Sequence, residues 1–494
     1  MTPSVHVTDA QIASEVLVLG LKRDENKKLS LQTSGIRFDS GPILKALEDL
    51  GATGAADEVI KLPGESTKLI VLTGLGSGEV THESLRRAAG AASRSLLGHK
   101  SATFALAHRT VEELAAIAEG ALLGSYAFDE FRGSTKSDRK SPLSKVEVHS
   151  KFANEKKVAE LLKRANVIAK YTHLVRDLVN TPPSHLNPAS FVAKFQPLAR
   201  KLKLKAEVLN EQQLKKGGYG GIIGVGQGSA NPPRLLHLSY RPRVAKKRFA
   251  FVGKGITFDT GGLALKPAQG MEAMKSDMSG AAAISAAILA IAELKLPIEI
   301  DAWAPLAENM VSDTATRPSD IITIYGGKTV EVLNPDAEGR LILADALVRA
   351  AEVGNKKGKL DGIIDVATLT GAQVVALGTR TSAVMTNNEK FRDQFLKTVE
   401  RTGEQFWPMP LPEELRASLD SPVADIANIG ERMGGMLVAG LFLKDFVSAD
   451  LPWLHLDIAG PAYNEAKPHG YTTVGGTGVA LRTLLAFAED ALSR

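Results

Sequence analysis

Apolar and polar residues alternate along the chain in patterns that predict two blocks of strands and helices. In the first 150 residues, short apolar runs at residues 15–21 and 68–76 predict buried strands, and residues 111–127 have helical spacing of Ala, Leu and Glu. The polar, turn-rich stretch 133–142 resembles an inter-domain linker. A long amphipathic helix is then predicted over residues 154–179, and it ends where prolines follow.

The rest of the chain repeats this alternation. Apolar runs predict strands at residues 249–252, 298–304, 321–325, 362–367 and 453–458, and helices at residues 279–294, 338–353, 434–447 and 475–488. Strand–helix alternation predicts an α/β fold, with a smaller N-terminal α/β domain (1–150), a linker helix (151–180) and a larger C-terminal α/β domain with a mixed central sheet (181–494). Ligands of such sheets bind in the loops that follow the strands.

Composition excludes several classes of protein. Hydrophobic residues make up 44% and charged residues 23% of the 494 residues, which is typical of globular chains and excludes a mainly disordered one. The chain has no cysteine, so disulfides, cysteine-ligated zinc, iron–sulfur clusters and thiol nucleophiles are excluded. The longest apolar run, residues 280–292, is too short to cross a bilayer, and no secretory signal is evident. We therefore expect a cytoplasmic protein without a membrane anchor.

The net charge of +5 is local. Residues 136–164 alone carry nine Lys or Arg and four Asp or Glu, and the remainder is balanced. A solvated helix face explains this stretch better than a nucleic-acid site does, but DNA binding stays open as an alternative.

Familiar catalytic and nucleotide-binding motifs are incomplete. Residues 224–229 (GVGQGS) lack the last glycine of a dinucleotide-binding loop, and His82-Glu83 has no second histidine at position 86. No G-x-S-x-G nucleophile elbow is present. These absences weigh against nucleotide binding, histidine-ligated zinc proteolysis and serine hydrolase chemistry.

Two segments carry unusual chemistry for their setting. Residues 251–267 (FVGKGITFDTGGLALKP) place Lys254, Asp259 and Lys266 among glycines after a buried strand, and Asp277 comes just before an Ala-rich helix. Residues 334–347 (NPDAEGRLILADAL) place Asp336, Glu338 and Arg340 where another helix should begin.

Taken one at a time, these residues have structural explanations. Asp336 could be a helix N-cap, and residues 259–262 could form an Asx-type turn. Together, four carboxylates and two lysines in glycine-rich junctions suit one or two divalent cations, because without cations so many anions would repel one another.

The sequence resembles the leucine aminopeptidase family, also called the cytosol aminopeptidases. Residues 334–341 (NPDAEGRL) match seven of eight positions of the family hallmark NTDAEGRL. Further matches are VGKGITFDTGG at 252–262, DVATLTGA at 365–372, RDLVNTPP at 176–183, GVGQGS at 224–229 and HLDIAG at 455–460. The resemblance extends from about residue 176 to the end, so the C-terminal block is expected to be the metallopeptidase catalytic domain.

The resemblance implies a two-metal aminopeptidase that releases Leu or another bulky apolar residue from peptides with a free N-terminus. Lys254 and Asp277 would ligate one metal, Asp336 the other, and Asp259 and Glu338 would contact both. Lys266 and Arg340 would be the catalytic residues. The implied substrate pocket consists of Met274, Asn334, Thr368 and Gly371. The metals would be Mn²⁺, Zn²⁺ or Mg²⁺, Arg340 would hold a bicarbonate, and the subunits would form a homohexamer.

One position departs from the family pattern. Pro335 replaces the family's threonine, which fixes φ and removes an N–H next to a proposed ligand, and it biases Asn334 away from helix. The metal and catalytic positions are intact, so we expect activity.

Two alternative functions remain: a metal hydrolase of another amide bond, and a nucleic-acid-binding or regulatory protein on an aminopeptidase scaffold.

Overall fold

The chain folds into two α/β units. A computed structural model describes residues 2–10, 12–26, 28–36, 38–64, 67–356 and 358–492. The first unit comprises residues 1–173 and 464–474, and the second comprises residues 174–463 and 475–494. Where the sequence predicted a linker helix at 151–180, most of that segment belongs to the first unit.

The first unit is built on a mixed sheet. Its elements are β1 (Ser4–Thr8), β2 (Val16–Arg23), β3 (Leu29–Gln32), α1 (Gly41–Asp49), β4 (Val59–Pro63), β5 (Leu69–Gly74), α2 (His82–Ser95), β6 (Ser101–Phe104), α3 (Val111–Gly124), β7 (Lys145–His149) and α4 (Lys156–Asn180), which continues into the second unit. Within the described ranges the sheet has seven strands in the order β1-β7-β6-β2-β5-β4, with β3 beside β2. β2 reads VLVLGLKR and is buried on both faces over its first six residues, as expected of a central parallel strand.

The loop at residues 133–142 lies inside the first unit, before β7. It contains a short 3₁₀ helix, Lys136–Asp138, and β7 then pairs in parallel with β1 and β6. The turn-rich composition therefore predicted a loop correctly, but the expectation of an inter-domain linker was wrong, because the strand that follows still belongs to the N-terminal sheet.

The second unit contains a larger mixed sheet. Its elements before residue 360 are α5 (Pro188–Lys201), β8 (Lys205–Leu209), α6 (Glu211–Gly217), α7 (Gly220–Gly226), β9 (Arg234–Tyr240), β10 (Lys247–Gly253), β11 (Gly255–Asp259), a 3₁₀ helix (Met271–Ser276), α8 (Ser279–Glu293), β12 (Ile298–Asn309), β13 (Asp320–Thr323), β14 (Thr329–Val332) and α9 (Gly339–Lys356). The later elements are β15 (Gly362–Ala367), α10 (Gly371–Leu377), β16 (Thr381–Thr386), α11 (Glu389–Thr402), β17 (Gln405–Pro408), a 3₁₀ helix (Glu413–Leu419), β18 (Ile426–Ala427), α12 (Gly435–Lys444), β19 (Trp453–Asp457), β20 (Tyr463–Asn464), β21 (Gly475–Gly476) and α13 (Leu481–Asp490).

Four neighbouring strands at the centre of this sheet run in the same direction. The strand order is β17-β16-β19-β15-β10-β12-β9-β8, with β11 beside β12. β19, β15, β10 and β12 are mutually parallel, whereas β16, β9 and β8 pair antiparallel. The carboxyl ends of the parallel strands therefore lie at one edge of the sheet, where ligand sites of α/β proteins form.

α8 is the central buried helix of the second unit. It is rich in Ala and Ile, and all its residues except Glu293 are buried. The stretch Met271–Glu293 has the length and apolarity of a membrane span, but 94% of its most apolar window is buried inside the protein, as in the core helix of a globular domain.

The helix predicted at residues 475–488 is shorter than expected, so that prediction was wrong at its start. α13 begins at Leu481. Gly475 and Gly478 have φ of +92° and +79°, and Ala480 also has a positive φ. Right-handed helix requires negative φ, so these residues form a short strand and a turn instead.

Candidate metal centre

Four segments bring chemically active side chains to the carboxyl edge of the second unit's sheet. Lys254 directly follows β10, and Asp259 is the last residue of β11. Asn309 ends β12, and Thr368 directly follows β15. The alternation pattern predicted a site in the loops after the strands, and the structure places these residues at the strand ends or directly after them.

Lys254 is a buried lysine among carboxylates. Its Nζ lies 2.8 Å from an oxygen of Asp277 and 2.8 Å from Oε1 of Glu338, and it donates to the Thr368 carbonyl at 2.9 Å. Burial opposes a charge on this amine, but the two carboxylates outweigh it and raise the pKa of Lys254. In this geometry the lysine is an ammonium that occupies the centre of the anions.

Gly339 makes room for that lysine. A Cβ added at Gly339 would lie 2.4 Å from Cε of Lys254. Any larger residue at the start of α9 would therefore push Lys254 away from Glu338, which is the residue before Gly339. This contact gives a physical reason for the glycine in the DAEGRL segment.

Asp277 lies between Lys254 and Thr368. Its Oδ1 accepts the Lys254 bond and a second bond from the Thr368 hydroxyl at 2.7 Å. Its Oδ2 is buried and has no hydrogen-bond partner among the described residues. Burial raises the pKa of Asp277 to about 6, and repulsion from Asp259 acts in the same direction. A buried carboxylate oxygen without a hydrogen-bond partner is a ligand atom that a metal ion could bind.

A second lysine joins the other pair of carboxylates. Lys266 Nζ lies 2.9 Å from Oδ2 of Asp259 and forms a short ion pair with Asp336. Burial works against its charge, but the carboxylates raise the pKa of Lys266, so it too is an ammonium. Gly261 lets the Asp336 carboxylate lie close to the 259–262 turn, because a Cβ at Gly261 would lie 2.9 Å from Asp336 Oδ1. The φ of Gly261 is +87°, which also favours glycine.

Asp259 also accepts a hydrogen bond within its own turn. Its Oδ1 takes the Gly261 N–H at 2.9 Å, so the Asx-type turn expected from DTGG is present. The structural interpretation of Asp259 is therefore confirmed, and its role as a metal ligand stays a prediction. For Asp336 the N-cap interpretation was wrong, because α9 begins at Gly339, three residues later.

Three carboxylates converge beside the Lys266 ammonium. One oxygen each from Asp259, Asp336 and Glu338 lies within 4.8 Å of the others. Burial raises the pKa of Glu338 to about 8, and it raises that of Asp336; Asp259 repels both. Removing that repulsion requires protons or cations, and hard oxygen donors at this spacing suit divalent metal ions. The residues present fit a metal centre.

Asn309 was missed by sequence reasoning. Its side-chain amide donates to Oδ1 of Asp259 at 2.8 Å and to the Pro335 carbonyl at 3.1 Å. It therefore links the two carboxylate segments and holds the backbone just before Asp336. Pro335 lacks an N–H, but its carbonyl has this partner, and Asn334 is non-helical as the proline predicted.

Arg340 lies apart from the ion pairs. It is buried at the start of α9, and its Nη1 donates to the Asn428 carbonyl at 2.7 Å. Its Nε is buried without a hydrogen-bond partner in the part of the chain that the structure describes. Burial lowers the pKa of Arg340 to about 10, so the guanidinium is charged at neutral pH. A buried charged donor of this kind could receive a small anion.

The four predicted pocket residues differ in how directly they contact the carboxylate cluster. Thr368 contacts Lys254 and Asp277 directly. Asn334 accepts the Asp336 N–H at 2.9 Å through its side chain. Met274 lies three residues before Asp277, and Gly371 begins α10. The roles of all four in substrate binding stay predictions.

Two sequence models of one family match this chain. The model described as the cytosol aminopeptidase family, catalytic domain, matches residues 173–485. The model described as the same family's N-terminal domain matches residues 17–135. The second match covers the block in which the sequence carried no motif.

Curated relatives and solved structures agree with these matches. A probable cytosol aminopeptidase of Streptomyces avermitilis is 52% identical over 463 residues, covering 91% of this chain and 89% of that protein. One from Nocardia farcinica is 48% identical, covering 97% and 95%. Among structures, the bottromycin maturation enzyme BotP in complex with Mn has a TM-score of 0.86 at 37% identity, covering 98% of this chain and all of that one. A variant of tomato leucine aminopeptidase has a TM-score of 0.84 at 31% identity, covering 98% and 96%.

Proposed function

Because this chain belongs to the cytosol aminopeptidase family, whose members are metal-dependent aminopeptidases, we propose that it is a two-metal enzyme that removes bulky apolar N-terminal residues from peptides. The single observation that supports this most is the convergence of oxygens from Asp259, Asp336 and Glu338 within 4.8 Å. Lys254 and Asp277 extend the same cluster through the ion pair to Glu338.

Five residues would hold the metals. Lys254 and Asp277 would serve one ion and Asp336 the other, while Asp259 and Glu338 would contact both. Divalent ions at such a centre supply a water of lowered pKa and polarise the scissile carbonyl. Mn²⁺ is the first metal to test, because the similar bottromycin maturation enzyme was solved with Mn; Zn²⁺ and Mg²⁺ follow.

Lys254 must change its protonation state for this role. As an ammonium it donates to the Asp277 carboxylate and the Thr368 carbonyl and forms an ion pair with Glu338, so it has no lone pair to offer. When a dication takes its place among the carboxylates, the electrostatic reason for its raised pKa is reversed. Lys254 would then serve as a neutral amine ligand, and metal binding would release its proton.

Lys266 would stay charged and act on the substrate. Its side chain is one-fifth exposed, whereas that of Lys254 is almost fully buried. Its ammonium can turn from Asp259 and Asp336 toward the oxygen of the scissile carbonyl. There it would stabilise the negative charge that develops as the peptide bond is attacked.

Arg340 would hold an anion rather than the peptide. One side of its guanidinium is fixed by the Asn428 carbonyl, and Nε is left to donate. Arg340 would hold a bicarbonate there, and the chemistry that this anion would supply is general acid–base catalysis.

The pocket, location and assembly complete the proposal. Thr368 would define the side of the pocket next to Asp277, with Met274, Gly371 and Asn334 forming the rest. Their small or apolar character favours N-terminal Leu. A cytoplasmic location and a homohexamer rest on the family resemblance alone.

Substituting Glu338 tests the metal centre. We expect Glu338→Gln to lower kcat for a leucine p-nitroanilide by at least about 10³-fold in saturating Mn²⁺, because one ligand to both metals is lost. Glu404→Gln is the matched control, since Glu404 is also buried but contacts Thr483 and Arg482, neither of which belongs to the proposed metal centre. Equal activity of Glu338→Gln and wild type would refute the proposed site.

A further inference from the structure

Asn428 is a fully buried asparagine whose polar groups all face one segment. It directly follows β18. Its backbone N–H donates to the Glu331 carbonyl at 2.9 Å, and its own carbonyl accepts from Arg340 Nη1 at 2.7 Å. Both main-chain groups therefore contact the segment 331–340, which contains Asp336, Glu338 and Arg340.

The Asn428 side chain contacts the same segment from both of its ends. Oδ1 accepts the N–H groups of Leu333 at 2.8 Å and Asn334 at 3.1 Å. Nδ2 donates to the Asn334 carbonyl at 2.7 Å and lies 3.4 Å from that of Ala337. One side chain thus satisfies four backbone groups on the two sides of Pro335.

The short pairing of β14 with β18 explains why the segment after β14 needs a side-chain partner. β14 and β18 pair in parallel only at two positions, Val330 with Ile426 and Glu331 with Ala427. β14 ends at Val332, and among the described residues the backbone beyond it has no strand partner to take its N–H and carbonyl groups. The Asn428 side chain continues the pairing where the strand stops. The loop that it holds carries Asp336 and Glu338, so this contact, together with the Asn309 bond to the Pro335 carbonyl, fixes where these carboxylates lie.

We propose that Asn428 is a positioning residue for Asp336, Glu338 and Arg340. It touches neither metal nor substrate, and it acts by fixing the loop in the geometry that ligates. The inference rests on the proposed function, because it concerns the affinity of that same metal centre.

An isosteric variant and a matched control test it. Asn428→Asp keeps the volume and both acceptor contacts, but it loses the amide donors and places a carboxylate oxygen against the Asn334 carbonyl. Asn387→Asp is the control, because Asn387 also bridges backbone groups, accepting from Trp453 N at 2.9 Å and donating to the Leu451 carbonyl at 3.0 Å. Each full-length protein is stripped of metal, titrated with Mn²⁺ by electron paramagnetic resonance, and followed by thermal unfolding.

We expect Mn²⁺ to bind about 10- to 100-fold more weakly to Asn428→Asp, as for other residues that hold metal ligands. Asn387→Asp should bind as wild type does, with a similar change in unfolding temperature. Excess Mn²⁺ should restore most of the kcat of Asn428→Asp, which a general loss of folding would not allow. Should Asn428→Asp fail to fold, Asn428→Ser, which is smaller and uncharged, should show the same weakening.

Three results would overturn the inference. Wild-type Mn²⁺ affinity and kcat in the folded Asn428 variants would refute the positioning role of Asn428 but not the proposed function. Failure of both Asn428 variants to fold would show a structural role instead. If the wild-type chain itself bound no Mn²⁺, the proposed function would fail first and the inference with it.

Discussion

Lys266 is the side chain whose removal should separate catalysis from metal binding. Its ammonium pairs with Asp259 and Asp336, so it competes electrostatically with a cation at those carboxylates. We expect Lys266→Met to lower kcat by about 10²- to 10³-fold, the usual cost of losing one donor to a developing oxyanion. Mn²⁺ affinity should be unchanged or higher.

The control for that variant is Lys328→Met, which removes a half-buried lysine that donates to the Asp445 carbonyl. Steady-state kinetics and Mn²⁺ titration of both proteins give the comparison. A Lys266→Met enzyme with wild-type kcat would rule out the catalytic role given to Lys266.

At this scale the sequence predicted which residues meet, but not what holds them. The motif residues Lys254, Asp277 and Glu338 are brought together as expected. Asn309 and Asn428 were missed, because their partners lie 50 and about 90 positions away in the chain. An asparagine that bonds to distant backbone leaves no pattern of spacing or hydropathy to recognise.

Among the elements, α9 is anchored by a buried carboxylate outside the metal centre. Asp345 accepts the Ile222 N–H of α7 through one oxygen and the Tyr325 N–H after β13 through the other, both at 2.7 Å. Asp345→Asn would turn an NH₂ group toward one of these donors. We expect a loss of about 2 kcal/mol in the free energy of unfolding, the cost of an unpaired buried donor.

Chemical denaturation measures that loss. Asp420→Asn is the control, because the Asp420 side chain is 73% exposed and pairs only with Arg416 on the surface among the described contacts. A change within about 0.5 kcal/mol of zero for Asp345→Asn would contradict the anchoring role.

The pairing of β9 with β12 should make stability sensitive to acid. Asp301 on β12 accepts from His237 Nε2 at 2.8 Å and from Arg241 at 2.6 Å. Burial alone would raise its pKa, but these partners outweigh it and lower the pKa of Asp301. Because the folded state prefers the ionised form, this stabilisation is full above the unfolded pKa of about 3.9 and is lost as pH falls through the lower folded pKa.

Asp301→Asn should therefore destabilise the protein at pH 7, and its deficit relative to wild type should shrink below about pH 4. Unfolding curves of both proteins between pH 7 and pH 3 check this. A deficit that stays constant over the whole range would show that the charge of Asp301 does not stabilise the fold.

Hydropathy patterns predicted the most apolar elements well, but other elements were not predicted, including the 14-residue helices α5 and α11 and the buried strands β9 and β16. The runs at residues 362–367 and 279–294 became β15 and α8 almost unchanged. The start of α13 was misplaced, because glycines with positive φ interrupt an apolar run without altering its hydropathy. The edge strands β8 and β17 were not predicted, since each is short and only partly buried.

For the whole molecule, the mixed α/β fold followed from strand–helix alternation, but the division of the chain did not. Residues 464–474 return to the first unit, and α4 belongs to it as far as His173. Such a return depends on tertiary contacts that local composition does not reveal.

The charge of the basic stretch 136–164 is also changed by tertiary contacts. Lys145 pairs with Glu147, Lys157 with Glu112 and Arg164 with Glu119, so part of its positive charge is neutralised within the first unit.

The most direct test of the whole account is the cleavage of one peptide in two forms. A peptide beginning with Leu, either with a free N-terminus or N-acetylated, is incubated with the Mn²⁺-loaded protein, with and without EDTA, and the products are identified by mass spectrometry. The account predicts release of Leu from the free peptide only, and none after chelation. Cleavage of the acetylated peptide, cleavage that survives metal removal, or no cleavage by folded protein in Mn²⁺, Zn²⁺ or Mg²⁺ would contradict it.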